Sequence, residues 1–279
     1  MNVRNLFLKP SIKIKSQEGQ LVDSPSPNAQ LNNSNLLISV IIPVYNEVNS
    51  IQEIIERIPN HQNYEIILID DGSTDNSIKK VQKIQNRTIK VIRHKKNLGY
   101  GEALSSGFRH ANGDIIITLD SDGQHNPEEI PSLVKALIDN NADIVIGSRY
   151  FGSHNYKVPL HTRIGEFCIK NLLIILFQQK IYNNQSGFRA LKTESLVFLQ
   201  KMKNTKFGFG TELLFNAAYS NLKIIEVPVS MNFRKYGASN ISLPEILISI
   251  FICILDYLFK KFKSDIKKRK SQAFSTSNS

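Results

Sequence analysis

The stretch ITLDSDGQH, residues 117–125, sets two carboxylates, Asp120 and Asp122, two positions apart where an apolar run gives way to a turn. Two hard oxygen donors at that spacing can converge on one divalent cation, which in turn bridges the phosphates of a substrate. A cation so placed offsets the charge that grows on a departing diphosphate. Gln124 can add a further oxygen, and His125 a nitrogen or a supporting contact. The same residues also spell a DG turn followed by NPEE at a helix start. The pair alone therefore does not decide between a metal clamp and local turn chemistry.

Three more polar segments follow apolar runs. PVYNE (43–47) brings Tyr45, a ring that can stack on a base, and Glu47, which can accept from a ribose hydroxyl. DDGSTD (70–75) offers Asp70 and Asp71, with Ser73 or Thr74 suited to cap a following helix while Asp71 faces a ligand. NLGYGEAL (97–104) is a glycine-containing entry into a helix that can let backbone approach a nucleotide or sugar. Turn formation and helix packing are the commoner uses of such glycines.

Short β-branched runs must position these loops: LISVIIP (37–43), YEIILID (64–70), IKVIRH (89–94), DIIITLD (114–120) and DIVIGS (143–148). Helix-like stretches near 50–58, 75–86, 100–111 and 127–140 alternate with them. Near-continuous apolar strands alternating with helices predict a parallel sheet covered on both faces. Ligands bind such sheets at the carboxyl ends of the strands, where PVYNE, DDGSTD and DSDGQH all fall. Further on come a helix at 160–178, a loop NNQSGFR, a helix near 208–220 and a strand pair within KIIEVPVSMNF. The apolar run Ile246–Phe259, interrupted by Ser249 and Asp256, spans roughly 21 Å as a helix, short of the ~30 Å hydrocarbon core. A buried or interfacial helix fits it better than a spanning one.

Composition bounds the rest. The chain has 279 residues, 41% of them hydrophobic, enough for one large domain with appendages. Of the net charge of +11, most sits in Lys260–Lys270, where seven Lys/Arg face one Asp. The near-balanced body, without interleaved aromatic and basic residues, argues against nucleic-acid binding. The basic end beside an apolar helix suits an anionic membrane surface. Cys168 and Cys253 lie far apart in apolar surroundings and read as reduced core residues. Residues 1–36, with their Pro/Ser/Asn run, read as a flexible leader. No secretory signal is visible there, so a cytoplasmic location is expected.

Taken together, SVIIPVYNE, DDGSTD, NLGYGEALSSG, DSDGQH, GSRY and QSGFRAL closely resemble the family 2 glycosyltransferases over about residues 37–258. The branch most similar is that of dolichyl- or polyprenyl-phosphate mannose or glucose synthases. The resemblance implies an α/β GT-A (nucleotide-diphospho-sugar transferase) fold over 37–240, its mostly parallel central sheet flanked by helices. A C-terminal amphipathic helix at the membrane interface (241–263) and a basic disordered tail (264–279) would follow. The activity implied is inverting and metal-dependent, with Mg²⁺ or Mn²⁺. A hexose would move from a GDP-mannose or UDP-glucose type of donor to a polyprenyl phosphate at the cytoplasmic membrane face. By the same resemblance Pro43, Tyr45, Glu47, Ile69 and Asp71 hold the nucleoside, and Asp120, Ser121, Asp122 and Gln124 form the metal and diphosphate segment. Asp120, Asp122 and Gln124 are the implied metal ligands. Arg149, Arg189 and Arg234 match basic positions near phosphates, and their forked guanidinium groups suit that task.

Two positions depart from the branch pattern: Asn183 stands where an Asp is common, and Asn240 where a Lys often follows. Lys235 beside Arg234 can compensate for the second. A polyprenyl phosphate is already an anion and attacks without help, so an enzyme using it tolerates Asn183. A sugar hydroxyl needs a positioned base. Glu212 in GFGTELL is the candidate for that role, with orientation of Arg189 or Arg234 as its alternative use. The expected catalytic residues are thus Asp122, Arg189 and Glu212. Two other functions stay open: a same-fold transferase acting on a sugar hydroxyl in cell-surface glycan synthesis, and a non-catalytic nucleotide-sugar-binding or scaffold protein.

Overall fold

A computed structural model of the chain describes residues 36–60, 63–84, 87–153, 158–202, 208–234, 244, 247–248 and 250–260. The expected leader (save Leu36), the tail, Lys235 and Asn240 lie outside these residues, as does part of the expected interface helix.

Seven strands form one sheet in the order β3-β2-β1-β4-β6-β5-β7. β1 (Ile38–Val44), β2 (Tyr64–Asp70), β3 (Ile89–Arg93) and β4 (Ile115–Thr118) run parallel to one another. β5 (Ile144–Ser148) and β7 (Ile224–Pro228) pair in parallel. Strand alternation divides the core. Val40, Ile42 and Val44 face one side, with Ile54 and Ile55 of α1 (Ile51–Arg57), Val81 of α2 (Ser77–Val81) and Leu133 and Leu137 of α4 (Ile130–Asp139). Ile41, Ile67 and Ile116 face the other, with Ala103 and Leu104 of α3 (Tyr100–His110), Ile169 and Leu173 of α5 (Leu160–Phe177) and Leu213 and Leu214 of α6 (Phe209–Tyr219). Burial on both faces is why these strands read as unbroken apolar runs.

Two expectations are corrected. The loop assigned to NNQSGFR ends in a strand, β6 (Arg189–Lys192), which inserts between β4 and β5 and runs antiparallel to both. Four residues, RALK, opening on a buried arginine, carry no strand periodicity of their own; pairing on both edges makes them a strand. The strand pair expected in KIIEVPVSMNF is the single strand β7, closed by Pro228, plus one isolated bridge between Met231 and His125.

Residues 250–260 are helical. Their Ile250 and Cys253 are buried, whereas Phe251, Leu255, Leu258 and Phe259 are exposed. This segment packs its Tyr257 ring edge-on against Phe177 at the end of α5, 5.2 Å between centroids. Leu160, Ile164, Phe167 and Ile175 of α5 are exposed as well, so two touching helices present apolar side chains outward. No helix among the described residues is long and apolar enough to cross a membrane. Cys253 is buried as expected, but Cys168 is only half-buried, and neither forms a disulfide.

Candidate active site

Because β6 runs against its neighbours, its first residue lies at the edge where the parallel strands end. Arg189 is in register with Thr118 of β4 and Ile146 of β5. Above this edge lies a cavity of about 620 Å³ whose lining includes Pro43, Tyr45, Glu47, Asp71, Asp120, Ser121, Asp122, Gln124, Arg149, Arg189 and Arg234. Residues from the ends of six strands, β1, β2, β4, β5, β6 and β7, thus meet in one space.

Two expected residues do not line it. Ile69 is fully buried between the sheet and Ala103 and Leu104 of α3. It shares a strand face with Asp71 but lies two residues further back, under the helix. Glu212 lines a separate small crevice with Phe215, Asn216, Cys253 and Lys260. Helical geometry explains this: Gly210 and Leu213 of α6 line the main cavity, and Glu212 lies about 200° around the helix from Gly210.

The loops are held by one another. Asn46 N–H donates to Ser73 Oγ at 3.1 Å, Glu47 N–H to Ser77 Oγ at 2.9 Å and Val48 N–H to Asp75 Oδ2 at 3.1 Å. Ser73 and Asp75 of DGSTD, with Ser77 just beyond it, therefore satisfy the β1–α1 loop. Neither Ser73 nor Thr74 caps α2, whose N-cap position is Asn76. Ser121 Oγ donates to Pro43 O at 2.7 Å, and Ser50 Oγ to Ser121 O at 2.6 Å, tying the acid pair to the first loop. Asp71 accepts from Leu98 N–H (2.9 Å) and Gly99 N–H (2.8 Å) and contacts His94 Nδ1 at 2.7 Å. His94 in turn meets Ser106 Oγ at 2.9 Å through Nε2. His94 orients Asp71 without lining the cavity, and no sequence motif singled it out.

Asp120 and Asp122 are close enough that burial and the Asp122 anion together push the Asp120 carboxyl above its ordinary pKa. Tyr100 donates its hydroxyl to Asp120 Oδ1 at 2.9 Å. Asp122 Oδ1 accepts from Gln124 N–H at 3.0 Å, closing an Asx turn. Among the described residues no group of three or more His, Cys, Asp or Glu side chains converges to hold a metal. The charged donors are therefore two carboxylates, with the Gln124 side-chain oxygen a neutral donor on the same cavity wall. That does not fit a closed zinc cage, but it fits Mg²⁺ or Mn²⁺, which keep substrate phosphates and waters as further ligands. Gln124 turns its amide nitrogen to Asn232 O at 3.4 Å, and Asn232 N–H donates to Gln124 O at 2.7 Å, joining this loop to the one after β7.

Three arginines line the same cavity as the acids. Arg234 pairs with Glu47 (2.9 Å) and lies 3.8 Å from Asp122. Burial raises the Glu47 pKa, and Arg234 offsets part of that rise. Arg149 makes a buried ion pair with Glu166 of α5 at 2.5 Å, and Tyr150 donates to the other oxygen of Glu166. Arg189 donates to Asn184 O at 3.0 Å. A Cβ on Gly187 would lie 2.1 Å from Asp120 Oδ2, so the QSGF loop approaches the acid pair only because residue 187 has none.

Asn183 does not face the cavity. It is fully buried, its N–H donates to Glu226 Oε1 at 2.8 Å and its amide to Gly147 O at 3.2 Å. It anchors the loop that leads to Arg189 and does not line the cavity.

A polar strand-end cavity over a sheet with one reversed strand is the arrangement of the GT-A fold. The chain belongs to glycosyl transferase family 2, whose model matches residues 39–199. It is 35% identical over 212 residues to the dolichol-phosphate mannosyltransferase of Pyrococcus furiosus, covering 73% of this chain and 59% of that one. It thus spans less than two thirds of that relative's length. It is 29% identical to the UDP-N-acetylglucosamine–dolichyl-phosphate N-acetylglucosaminyltransferase of Methanococcus voltae, over 72% of this chain and 88% of the other. Among solved structures, glucosyl-3-phosphoglycerate synthase from Mycobacterium tuberculosis in complex with Mg²⁺ and uridine diphosphate shares the fold. The TM-score is 0.63 at 21% identity, over 85% of this chain and 86% of that one.

Proposed function

We propose that this glycosyltransferase moves a hexose from a nucleotide-diphospho-sugar of the GDP-mannose or UDP-glucose type to a polyprenyl phosphate, inverting the anomeric centre. One observation carries the choice of acceptor. The cavity wall includes Val158, Pro159 and Thr162 at the start of α5, and the same helix exposes Leu160, Ile164 and Phe167. An exposed apolar helix face at the mouth suits an acceptor whose tail stays in lipid, with α5 and residues 250–260 resting on a cytoplasmic, anionic membrane surface. The names of both relatives, each acting on a dolichyl phosphate, support this reading.

In it Tyr45, Glu47 and Asp71 line the nucleoside end, and Asp120, Asp122 and Gln124 would hold Mg²⁺ or Mn²⁺. Bound there, the cation would neutralise charge on the departing diphosphate. Arg149, Arg189 and Arg234 receive donor and acceptor phosphates, with Arg234 exchanging its carboxylate partners for phosphate oxygens. The acceptor phosphate oxygen attacks the anomeric carbon as an anion, so no side chain needs to take its proton.

The transfer to a sugar hydroxyl is disfavoured by Glu212, which faces away from the cavity. Glu212→Gln should leave kcat for polyprenyl phosphate close to the parent value, whereas loss of a general base would cost roughly 10²–10⁴-fold. The assay that tests the proposal offers the full chain a panel of nucleotide sugars with polyprenyl phosphate in anionic or uncharged vesicles, and weighs the lipid product. A hexosyl-phosphoprenol formed faster on anionic vesicles is expected. Transfer to a glycan hydroxyl in place of the lipid phosphate would reject it.

A further inference from the structure

Asp71 and Asp120 follow strands β2 and β4, which β1 separates in the sheet. One turn nevertheless touches both. Leu98 and Gly99 donate their N–H groups to the two oxygens of Asp71 at 2.9 and 2.8 Å, and the next residue, Tyr100, donates its hydroxyl to Asp120 Oδ1 at 2.9 Å. Gly99 makes this possible with φ 99° and ψ 159°, a region essentially closed to residues bearing a Cβ. Its N–H can then face Asp71 while Tyr100 begins α3. On its other side Asp120 meets the backbone at Gly187, where even a methyl group would stand 2.1 Å from Oδ2. With Oδ1 held by Tyr100 and the whole carboxylate packed against the Gly187 backbone, Asp120 has little freedom to turn.

We propose that Tyr100 is a positioning residue for Asp120, and that the turn Leu98–Tyr100 couples the nucleoside end of the donor site to its metal and diphosphate end. The inference rests on the reading of Asp120 and Asp122 as a metal clamp. A hydroxyl that donates to one carboxylate oxygen orients the other toward the cation, and such supporting contacts set metal affinity strongly. A nucleoside that rigidifies Asp71 and its turn also fixes Tyr100, so nucleotide and metal enhance each other's binding by an equal factor.

The test uses the full chain and reads free Mn²⁺ by its paramagnetic resonance signal, with Mn²⁺ alone and with UDP or GDP, whichever the parent binds. Tyr100→Phe keeps the ring and removes the hydroxyl; Asp122→Asn is the reference. Tyr100→Phe is expected to weaken Mn²⁺ binding by about 10–100-fold and to shrink the enhancement by the nucleotide. Binding of the free nucleoside and the thermal midpoint should stay near parent values. Parent-like Mn²⁺ binding in Tyr100→Phe, with loss in Asp122→Asn, would overturn the role of Tyr100 and leave the clamp standing. Parent-like binding in Asp122→Asn would remove the clamp itself. A joint fall of metal binding, nucleoside binding and thermal midpoint in Tyr100→Phe would mark Tyr100 as structural and also reject the proposal.

Discussion

Asp122→Ala should lower kcat/KM by about three orders of magnitude, the equivalent of roughly 4 kcal/mol of lost charge stabilisation in the transition state. The fold should survive. Asp122 accepts one hydrogen bond, from Gln124 N–H, and its contact with Arg234 is long at 3.8 Å. Losing them costs about 1 kcal/mol, and Glu47 still holds Arg234 at 2.9 Å. Asp122→Asn sharpens the experiment, since an amide oxygen can still accept from Gln124 N–H but carries no charge. If charge is the role of Asp122, Asn and Ala lose transfer alike and circular dichroism shows both folded. Near-parent transfer by Asp122→Asn would mean that the residue only shapes a turn.

Glu166→Ala should give the largest stability loss, about 3–5 kcal/mol, because it strips a buried arginine of its counter-charge. Glu166 and Arg149 are 3% and 5% exposed, and the second Glu166 oxygen takes the Tyr150 hydroxyl. Burial raises the Glu166 pKa, and the Arg149 guanidinium works against that rise. For a chain of this size the thermal midpoint should fall by roughly 10 °C. The double replacement Arg149→Met with Glu166→Leu should recover much of that stability, since apolar groups replace a buried pair at little cost. It should not recover activity, because Arg149 also faces the cavity. A Glu166→Ala midpoint within a degree or two of the parent would show that the pair is solvated.

Much of this architecture is written locally. β1, β2 and β4 announce themselves because both of their faces are buried, which demands unbroken apolar runs. Loops at the carboxyl ends of such strands collect polar residues, so spacing alone places PVYNE, DDGSTD and DSDGQH at one edge. β6 was illegible for the opposite reason: RALK owes its strand state to partners on both sides, distant in the chain. The same holds for side chains. The resemblance grouped Ile69 with Asp71, but depth along the strand puts one in the core and the other in the cavity. A hydroxyl acceptor would need a base and Glu212 is the candidate, but the rotation of α6 turns it away from the cavity. Asn183 looked like a clue to the acceptor and is a loop anchor.

The sequence by itself determined the family, the parallel sheet and the acid pair at its edge, since each rests on residue types and spacings within a short window. Only the tertiary structure decided what supports that pair. Tyr100, Gly187, His94 and Glu166 reach the site through hydrogen bonds and close contacts between segments many residues apart, and no local pattern encodes a partner that folding alone brings near.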